Sequence, residues 1–210
     1  KFFIVHLQKT SIFALYKDYN NAIVKKGCIP LMISPLTNID YVNTKRADIP
    51  DLTQQEKAFY KDIVDICDSI IIPGGYRWYN FQEFIVEYAI EKDIPILGIC
   101  MGMQLLSALD TGGNYNELNE TNIDHRQANT KYVHDVDIVK GTKLNKILGV
   151  EKIKVNSKHK YHITRVNKYK IAAYSEDGLI EAIEHPDKKF IIGVQWHPEI
   201  SYDFDENSKK

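Results

Sequence analysis

The chain reads as an α/β fold, with a mostly parallel central sheet covered by helices on both faces and an antiparallel or mixed extension towards its C-terminal end. Three features say so. Compact apolar runs alternate with helix-period segments through the first half, the pattern of parallel strands joined by crossover helices. The runs are separated by turn and breaker residues. Beyond Thr111-Gly112-Gly113 the helical segments give way to short strand-like runs.

The elements follow in order. Phe2 to Leu7 is an apolar run, read as a buried strand. Ala14 to Lys26 is a helix, with Leu15, Tyr19, Ala22 and Ile23 at helical spacing and Gly27 as its stop. Ile29 to Ser34 is a second strand. Thr53-Gln54-Gln55-Glu56 is a capping box opening a helix whose apolar face is Phe59, Ile63, Ile66 and Cys67. Ser69 to Ile72 is a third strand, stopped by Pro73-Gly74-Gly75. Phe81, Phe84, Ile85, Tyr88 and Ala89 give the cleanest amphipathic helix. Ile96 to Ile99 is a fourth strand, and Gly102 to Leu109 the helix after it. Short strands are then expected at Val136–Val139, Lys152–Asn156, Ile171–Tyr174, Leu179–Glu184 and Phe190–Gln195, with one helix at Thr142–Leu148. This part reads as an extension of the same sheet, so residues 1–210 are expected to form one domain.

Composition narrows the function classes. Hydrophobic residues make up 44% and charged residues 26%, which is globular. A formal net charge of −1 gives no global field towards nucleic acid or anionic lipid. No apolar run approaches the roughly 18 residues of a membrane span. The opening apolar run is too short for a signal-peptide core. Cys28, Cys67 and Cys100 form no CxxC pair and read as reduced thiols, so a cytoplasmic location is expected.

Open α/β sheets bind ligands beyond the carboxyl ends of their strands, which puts chemistry just after Ile72, Ile99 and Gln195. Gly98-Ile99-Cys100-Met101-Gly102 is G-x-C-x-G at a strand-to-helix junction, the thiol counterpart of a nucleophile elbow. Small flanking residues let a strained turn lift the sulfur above the sheet, and the following helix N-terminus favours thiolate. Cys28 and Cys67 lack those glycines and read as buried small hydrophobes. A thiolate needs a proton shuttle and an orienting partner. His197-Pro198-Glu199 ends the last strand; if extended, it turns His197 and Glu199 to one side. A solvated surface pair is the plain alternative. Pro73-Gly74-Gly75 can bring backbone N–H groups close to a substrate and, with the Met101 N–H, form an oxyanion hole.

Pro73-Gly74-Gly75, Gly98 to Gln104 and Gln195-Trp196-His197-Pro198-Glu199 together resemble the signature set of class I glutamine amidotransferases. The closer resemblance is to the γ-glutamyl-γ-aminobutyrate hydrolase branch, peptidase family C26. Its HRQ element is matched by His125-Arg126-Gln127, its VNSxHHQ element by Val155 to Tyr161, and its DGxIEAIE element by Asp177 to Glu184. The resemblance implies a flavodoxin-like fold, a Cys100–His197–Glu199 triad and an oxyanion hole from the N–H groups of Gly75 and Met101. It implies that Gly74, Gln104, His125, Arg126, Gln127, Asn156, Ser157, Lys158 and His159 hold the γ-glutamyl group. The chain departs from the branch at Met101, where arginine is usual, at Lys160-Tyr161, where His-Gln is usual, and by lacking an Arg-Asp pair between Tyr79 and Lys92.

These departures bear on the amine half of the substrate. Lys152 to Lys170 contains no acidic residue. Its lysines read either as a solvated strand face or as a receptor for an anionic, even nucleotide-linked, leaving group. The γ-glutamyl-CDP-amidate hydrolases are the family example of the latter. Tyr76-Arg77-Trp78-Tyr79 offers aromatic surface to roof the pocket. His6, His134, His162 and His185 show no ligand spacing, and no EF-hand, P-loop or zinc motif is present, so no metal or other cofactor is expected. The expected partner is a small-molecule γ-glutamyl amide, with neither nucleic acid nor membrane; a homodimer is allowed. A glutaminase feeding ammonia to a synthase partner is the alternative enzyme, and a catalytically silent binding module the third reading.

Overall fold

The computed structural model describes residues 16–36, 39–41, 43–113, 115–119 and 121–210, together with the backbone of a strand at Phe2–Val5. His6, Leu7, Ala14 and Leu15 lie outside the described residues.

The first half builds β1 (Phe2–Val5), α1 (Lys17–Lys25), β2 (Pro30–Ile33), α2 (Gln54–Asp65), β3 (Ser69–Ile72), α3 (Asn80–Glu91), β4 (Ile96–Ile99) and α4 (Met101–Thr111). The second builds β5 (Tyr115–Glu117), β6 (His134–Ile138), α5 (Lys143–Leu148), β7 (Lys152–Val155), β8 (Tyr161–Ile163), β9 (Lys170–Ser175), β10 (Ile180–Glu184), β11 (Ile191–Val194) and α6 (Pro198–Ser201). The main sheet runs β2-β1-β3-β4-β11-β10-β9-β6-β7. Pairings from β2 through β11 are parallel; those from β11 through β7 are antiparallel. The parallel part has the flavodoxin-like order, and the last four strands are the antiparallel extension.

Alternation along the buried strands explains the two-sided cover. On β3, Ile70 and Ile72 pack with α2, α3 and α4, whereas Ile71 packs on the opposite face with Tyr19 and Ile23 of α1. On β4, Ile96 joins the first face, and Leu97 and Ile99 the second. Gly98 and Gly102 are where α4 presses onto the sheet. A Cβ on Gly98 would stand 2.7 Å from the Gly102 carbonyl oxygen, and one on Gly102 only 2.2 Å from that of Ile72.

Three expectations about elements need correction. The buried face of α2 is Glu56, Tyr60 and Val64, so Phe59 and Ile66 are exposed. The capping box itself forms: the Thr53 N–H donates to Glu56 Oε2 at 2.8 Å, and the Glu56 N–H to Thr53 Oγ1 at 3.2 Å. Tyr60 lies on the inward row, and its hydroxyl accepts from the Leu36 N–H at 3.2 Å. The segment after His197 is not extended but forms the short helix α6, with Pro198 at its first turn. A small antiparallel pair, β5 with β8, has no counterpart in the sequence reading; all three β5 residues are exposed, so no alternation marks it.

Candidate active site

Register places three loops at one edge. Ile72 pairs with Gly98, and Ile99 with Val194, so the chain leaves β3, β4 and β11 at one level. Cys100 occupies the turn between β4 and α4 with φ 53° and ψ −107°, a conformation that costs a non-glycine residue of order 1–3 kcal/mol. The turn is held by the Cys100 N–H donating to the Val194 carbonyl at 2.8 Å and the Gln104 N–H donating to the Cys100 carbonyl at 3.2 Å. The residue is 6% exposed, and it shares the Gly74 contact with the His197 ring. The positive end of α4 points at it.

His197 is held on both sides. Its Nδ1 meets Glu199 Oε1 at 2.6 Å. The pairing arises because His197 caps α6 and Glu199 sits in its first turn. Burial opposes protonation of the ring, but the Glu199 carboxylate and the Cys100 sulfur outweigh it and push its pKa up to about 10. The backbone of His197 is clamped as well. Its N–H donates to Asn156 Oδ1 at 2.9 Å, while Asn156 Nδ2 donates to the His197 carbonyl and to Ser201 Oγ, each at 2.8 Å. Asn156 is expected from the sequence at the substrate; here all its polar atoms serve the histidine loop.

Gly74 lies against the pair, and a Cβ there would stand 2.6 Å from His197 Cε1 and 3.2 Å from Cys100 Cβ. Its N–H donates to the Tyr19 hydroxyl at 2.8 Å. Tyr19 is a site residue that sequence reasoning missed: it reads there as an apolar face residue, and no motif marks its hydroxyl. Burial and the neighbouring Glu199 carboxylate raise its pKa well above the ordinary tyrosine value. Gly75 is exposed at the loop tip, and Met101 occupies the first turn of α4, where helix N–H groups lack intrahelical acceptors.

The other expected residues separate into two groups. Gln104 faces a cavity of about 380 Å³ that Tyr76, Arg77, Trp78, Tyr115 and Tyr161 also line. Its Nε2 donates to the Tyr161 carbonyl at 2.9 Å and to Gln195 Oε1 at 3.2 Å. The aromatic stretch therefore does wall a pocket, and Cys100, His197 and Glu199 are not among the residues lining it. His125, Ser157 and His159 instead are buried behind the loop, with Ser157 Oγ 3.0 Å from His125 Nδ1. Those side chains are expected from the resemblance at the γ-glutamyl group; here they are 1%, 0% and 2% exposed. Arg126 is half exposed, donates to the Leu118 carbonyl at 2.9 Å and bridges Lys158 as an isolated β-pair. Gln127 Nε2 donates to the Asp124 carbonyl at 3.2 Å.

Three lysines of the basic run take the solvated arrangement. Lys152 pairs with Asp137 at 2.9 Å, Lys154 with Asp135 at 2.8 Å and Lys160 with Glu117 at 2.8 Å. The first two pairs cross from β7 to β6, so these lysines form a solvated, charge-matched face. Cys67 is buried, and burial pushes its thiol up to about 12. Among the described residues no helix is long and apolar enough to cross a membrane.

Comparison with known proteins agrees with this geometry. A glutamine amidotransferase-like protein of Rickettsia prowazekii is 29% identical over 252 residues, covering 89% of this chain and 83% of its own. A glutamine amidotransferase of Schizosaccharomyces pombe is 32% identical over 206 residues, covering 92% of this chain and 78% of its own. The chain also matches CTP synthases but spans only about a third of their length: 32% in Mesoplasma florum and 35% in Thermosipho africanus. Its fold resembles a solved Thermoplasma acidophilum protein described as part of a GMP synthase, with a TM-score of 0.68 at 14% identity over 99% of this chain and 88% of that one. Residues 79–199, which include Cys100, His197 and Glu199, match the peptidase C26 family, and the chain belongs to that family.

Proposed function

We propose that this chain is a cysteine-dependent hydrolase of γ-glutamyl amides, working through Cys100, His197 and Glu199. The observation that carries the reading is Cys100 on its strained turn, with the His197 imidazole packed against the same Gly74 and gripped at Nδ1 by Glu199. The ring pKa of about 10 favours an imidazolium at neutral pH, the kind of neighbour that activates a cysteine nucleophile. The thiolate attacks the side-chain amide carbon. The oxyanion is received by the N–H groups of Gly75 and Met101. His197 gives its proton to the departing nitrogen, and the C–N bond breaks, leaving a γ-glutamyl thioester. His197 then takes a proton from water, whose oxygen attacks the thioester; glutamate leaves and the sulfur returns as thiolate. Glu199 keeps the ring oriented throughout.

For the amine half, the aromatic cavity lined by Gln104 supports a flat group. Trp78, Tyr115 and Tyr161 form an edge-to-face chain with centroids 5.4 and 6.0 Å apart, and Arg77 is the cation beside them. Arg46 contributes less charge, because Glu83 pairs with it. The lining also carries Asp51 and Glu83, so its aromatic surface rather than its charge is what favours a nucleotide-linked amine.

The test is glutamate release from a panel of γ-glutamyl amides with polyamine-like, amino-acid-like and phosphorylated amines. Wild-type chain should release glutamate and carry a glutamyl adduct on Cys100 in quenched samples, visible by peptide mass spectrometry. Undiminished release by Cys100→Ala would end the proposal. A second reading, glutaminase action for a synthase, draws on the partial match to CTP synthases. It requires that glutamine be cleaved faster than any other amide of the panel.

A further inference from the structure

Three histidines and one glutamate that the proposed reaction does not use meet behind the 155–159 loop. Glu181 on β10 is 0% exposed, and neither of its carboxylate oxygens has a hydrogen-bond partner. Facing Oε1 are His159 Nε2 at 3.4 Å, His134 Nε2 at 3.8 Å and His125 Nδ1 at 3.9 Å. The three histidines are 2%, 4% and 1% exposed.

The far side of each ring fixes its tautomer. His159 Nδ1 lies 3.0 Å from the Tyr161 carbonyl, His134 Nδ1 lies 3.0 Å from the Asp135 carbonyl, and His125 Nε2 lies 3.1 Å from Asp177 Oδ2. A carbonyl or an ionised carboxylate only accepts, so each outer nitrogen is the N–H. In a neutral ring the inner nitrogen is then a lone pair. Three such lone pairs converge on a carboxylate that also only accepts. The one hydroxyl within reach, Ser157 Oγ, is 3.0 Å from His125 Nδ1. His134 Nε2, His159 Nε2 and both Glu181 oxygens remain without hydrogen-bond partners. Four acceptors buried together repel one another, and the cost is high unless a positive charge joins them.

We propose that His125, His134, His159 and Glu181 form a buried structural site for a divalent transition metal, with zinc the best match. Neutral imidazole nitrogen and carboxylate oxygen are the donors zinc takes, and four protein ligands leave no open position, the mark of a structural rather than a catalytic site. Donors about 2.0–2.1 Å from a tetrahedral zinc stand roughly 3.3–3.4 Å from each other. His159 and Glu181 already have that separation, and His134 and His125 would each close on Glu181 by about half an ångström. Donor atoms of His125, His134 and Glu181 all lie within 4.8 Å of one another. Outer N–H groups anchored on carbonyls and a carboxylate are the usual support of metal-bound histidines. The sequence reading expects no metal because it weighs short spacings, whereas these ligands come from four separate segments. Three of them stand in the motifs His125-Arg126-Gln127, Val155 to Tyr161 and Asp177 to Glu184. The metal would brace the loop whose Asn156 clamps His197.

The full chain should retain about one zinc per molecule after exhaustive dialysis and gel filtration, read by elemental mass spectrometry. Chain stripped with chelator should bind added Co²⁺ with the intense visible bands of a tetrahedral site, without a sulfur-to-cobalt band. Cys100→Ala should keep the metal, whereas His134→Ala and Glu181→Gln should lose it. The wild-type metal content and the cobalt spectrum need no variant to fold. A wild-type chain that holds no stoichiometric metal and takes up neither Zn²⁺ nor Co²⁺ would overturn the site. So would metal that departs with Cys100→Ala but persists in Glu181→Gln.

Discussion

Replacing Asn156 with alanine separates a substrate contact from a clamp. The side chain makes three hydrogen bonds of 2.8–2.9 Å, two to the His197 backbone and one to Ser201, from a position 2% exposed. At roughly 1 kcal/mol net for each bond, the loss is about 3 kcal/mol. For a chain of this size each kcal/mol moves Tm by ~2–4 °C, so Tm should drop by roughly 6–12 °C. The catalytic effect should be larger than that stability loss suggests in folded enzyme, because a ring displaced by about 1 Å costs on the order of 10²-fold. Steady-state kinetics on a γ-glutamyl amide, at a temperature where the variant is folded by circular dichroism, should show kcat down ~10–100-fold with KM little changed. A variant with unchanged kcat and a raised KM would refute the clamp and return Asn156 to the substrate, where the family resemblance puts it.

Three further outcomes follow from the same geometry. Gly74→Ala should fold yet lose roughly 10–100-fold in kcat, because its methyl would stand 2.6 Å from a ring that Glu199 and Asn156 prevent from moving away; full activity would show that ring to be free. His197 has a folded pKa of about 10 against ~6.5 unfolded, so its protonation stabilises the fold fully below pH ~6.5, and that contribution is lost as pH rises through about 10. Tm of the wild type should therefore fall more steeply between pH 7 and 10 than that of Glu199→Gln, and parallel curves would show the carboxylate does not hold the proton. Lys160→Ala removes an exposed pair with Glu117 and a cation–π contact 5.5 Å from the Tyr161 ring centroid, and should change stability by about 1 kcal/mol or less and kcat/KM by less than ~2-fold, even on a phosphorylated amide. A selective loss on that substrate would restore the cationic run as a binding surface.

The sequence makes the nucleophile legible for a local reason. Glycines two residues before and two after Cys100 are demanded by contacts of the turn itself, so composition and geometry say the same thing. The His197–Glu199 pair is legible for a reason only half right: the two do meet, but through a helix cap rather than an extended strand end. What stays hidden depends on long-range contacts. Tyr19 reaches Gly74 from 55 positions away, and nothing in its helix period distinguishes a hydroxyl that serves the site from one that merely packs. The face of α2 turns by one row because Tyr60 anchors to Leu36, a partner outside any local window. Lysines that look like a uniform basic run lose that character once β7 lies beside the aspartates of β6.

The same limit bears on how a family motif is used. His125, Asn156, Ser157 and His159 all stand in segments that the resemblance assigns to the γ-glutamyl group, yet each is buried and turned towards other parts of the chain. A motif records which residue types recur near a site; it does not record which side of the backbone each one faces. With these four turned inward, the proposed reaction leaves Gln104 to meet the glutamate end and the Arg77–Tyr161 wall to meet the amine half. Substitutions then divide by kinetic signature. Changes behind the loop act through the position of His197 and lower kcat, whereas changes at Gln104 or Arg77 weaken ground-state binding and raise KM. A Glu181 variant with normal kcat and a raised KM would break that division, because no path runs from a sealed carboxylate to substrate affinity except through the loop it supports.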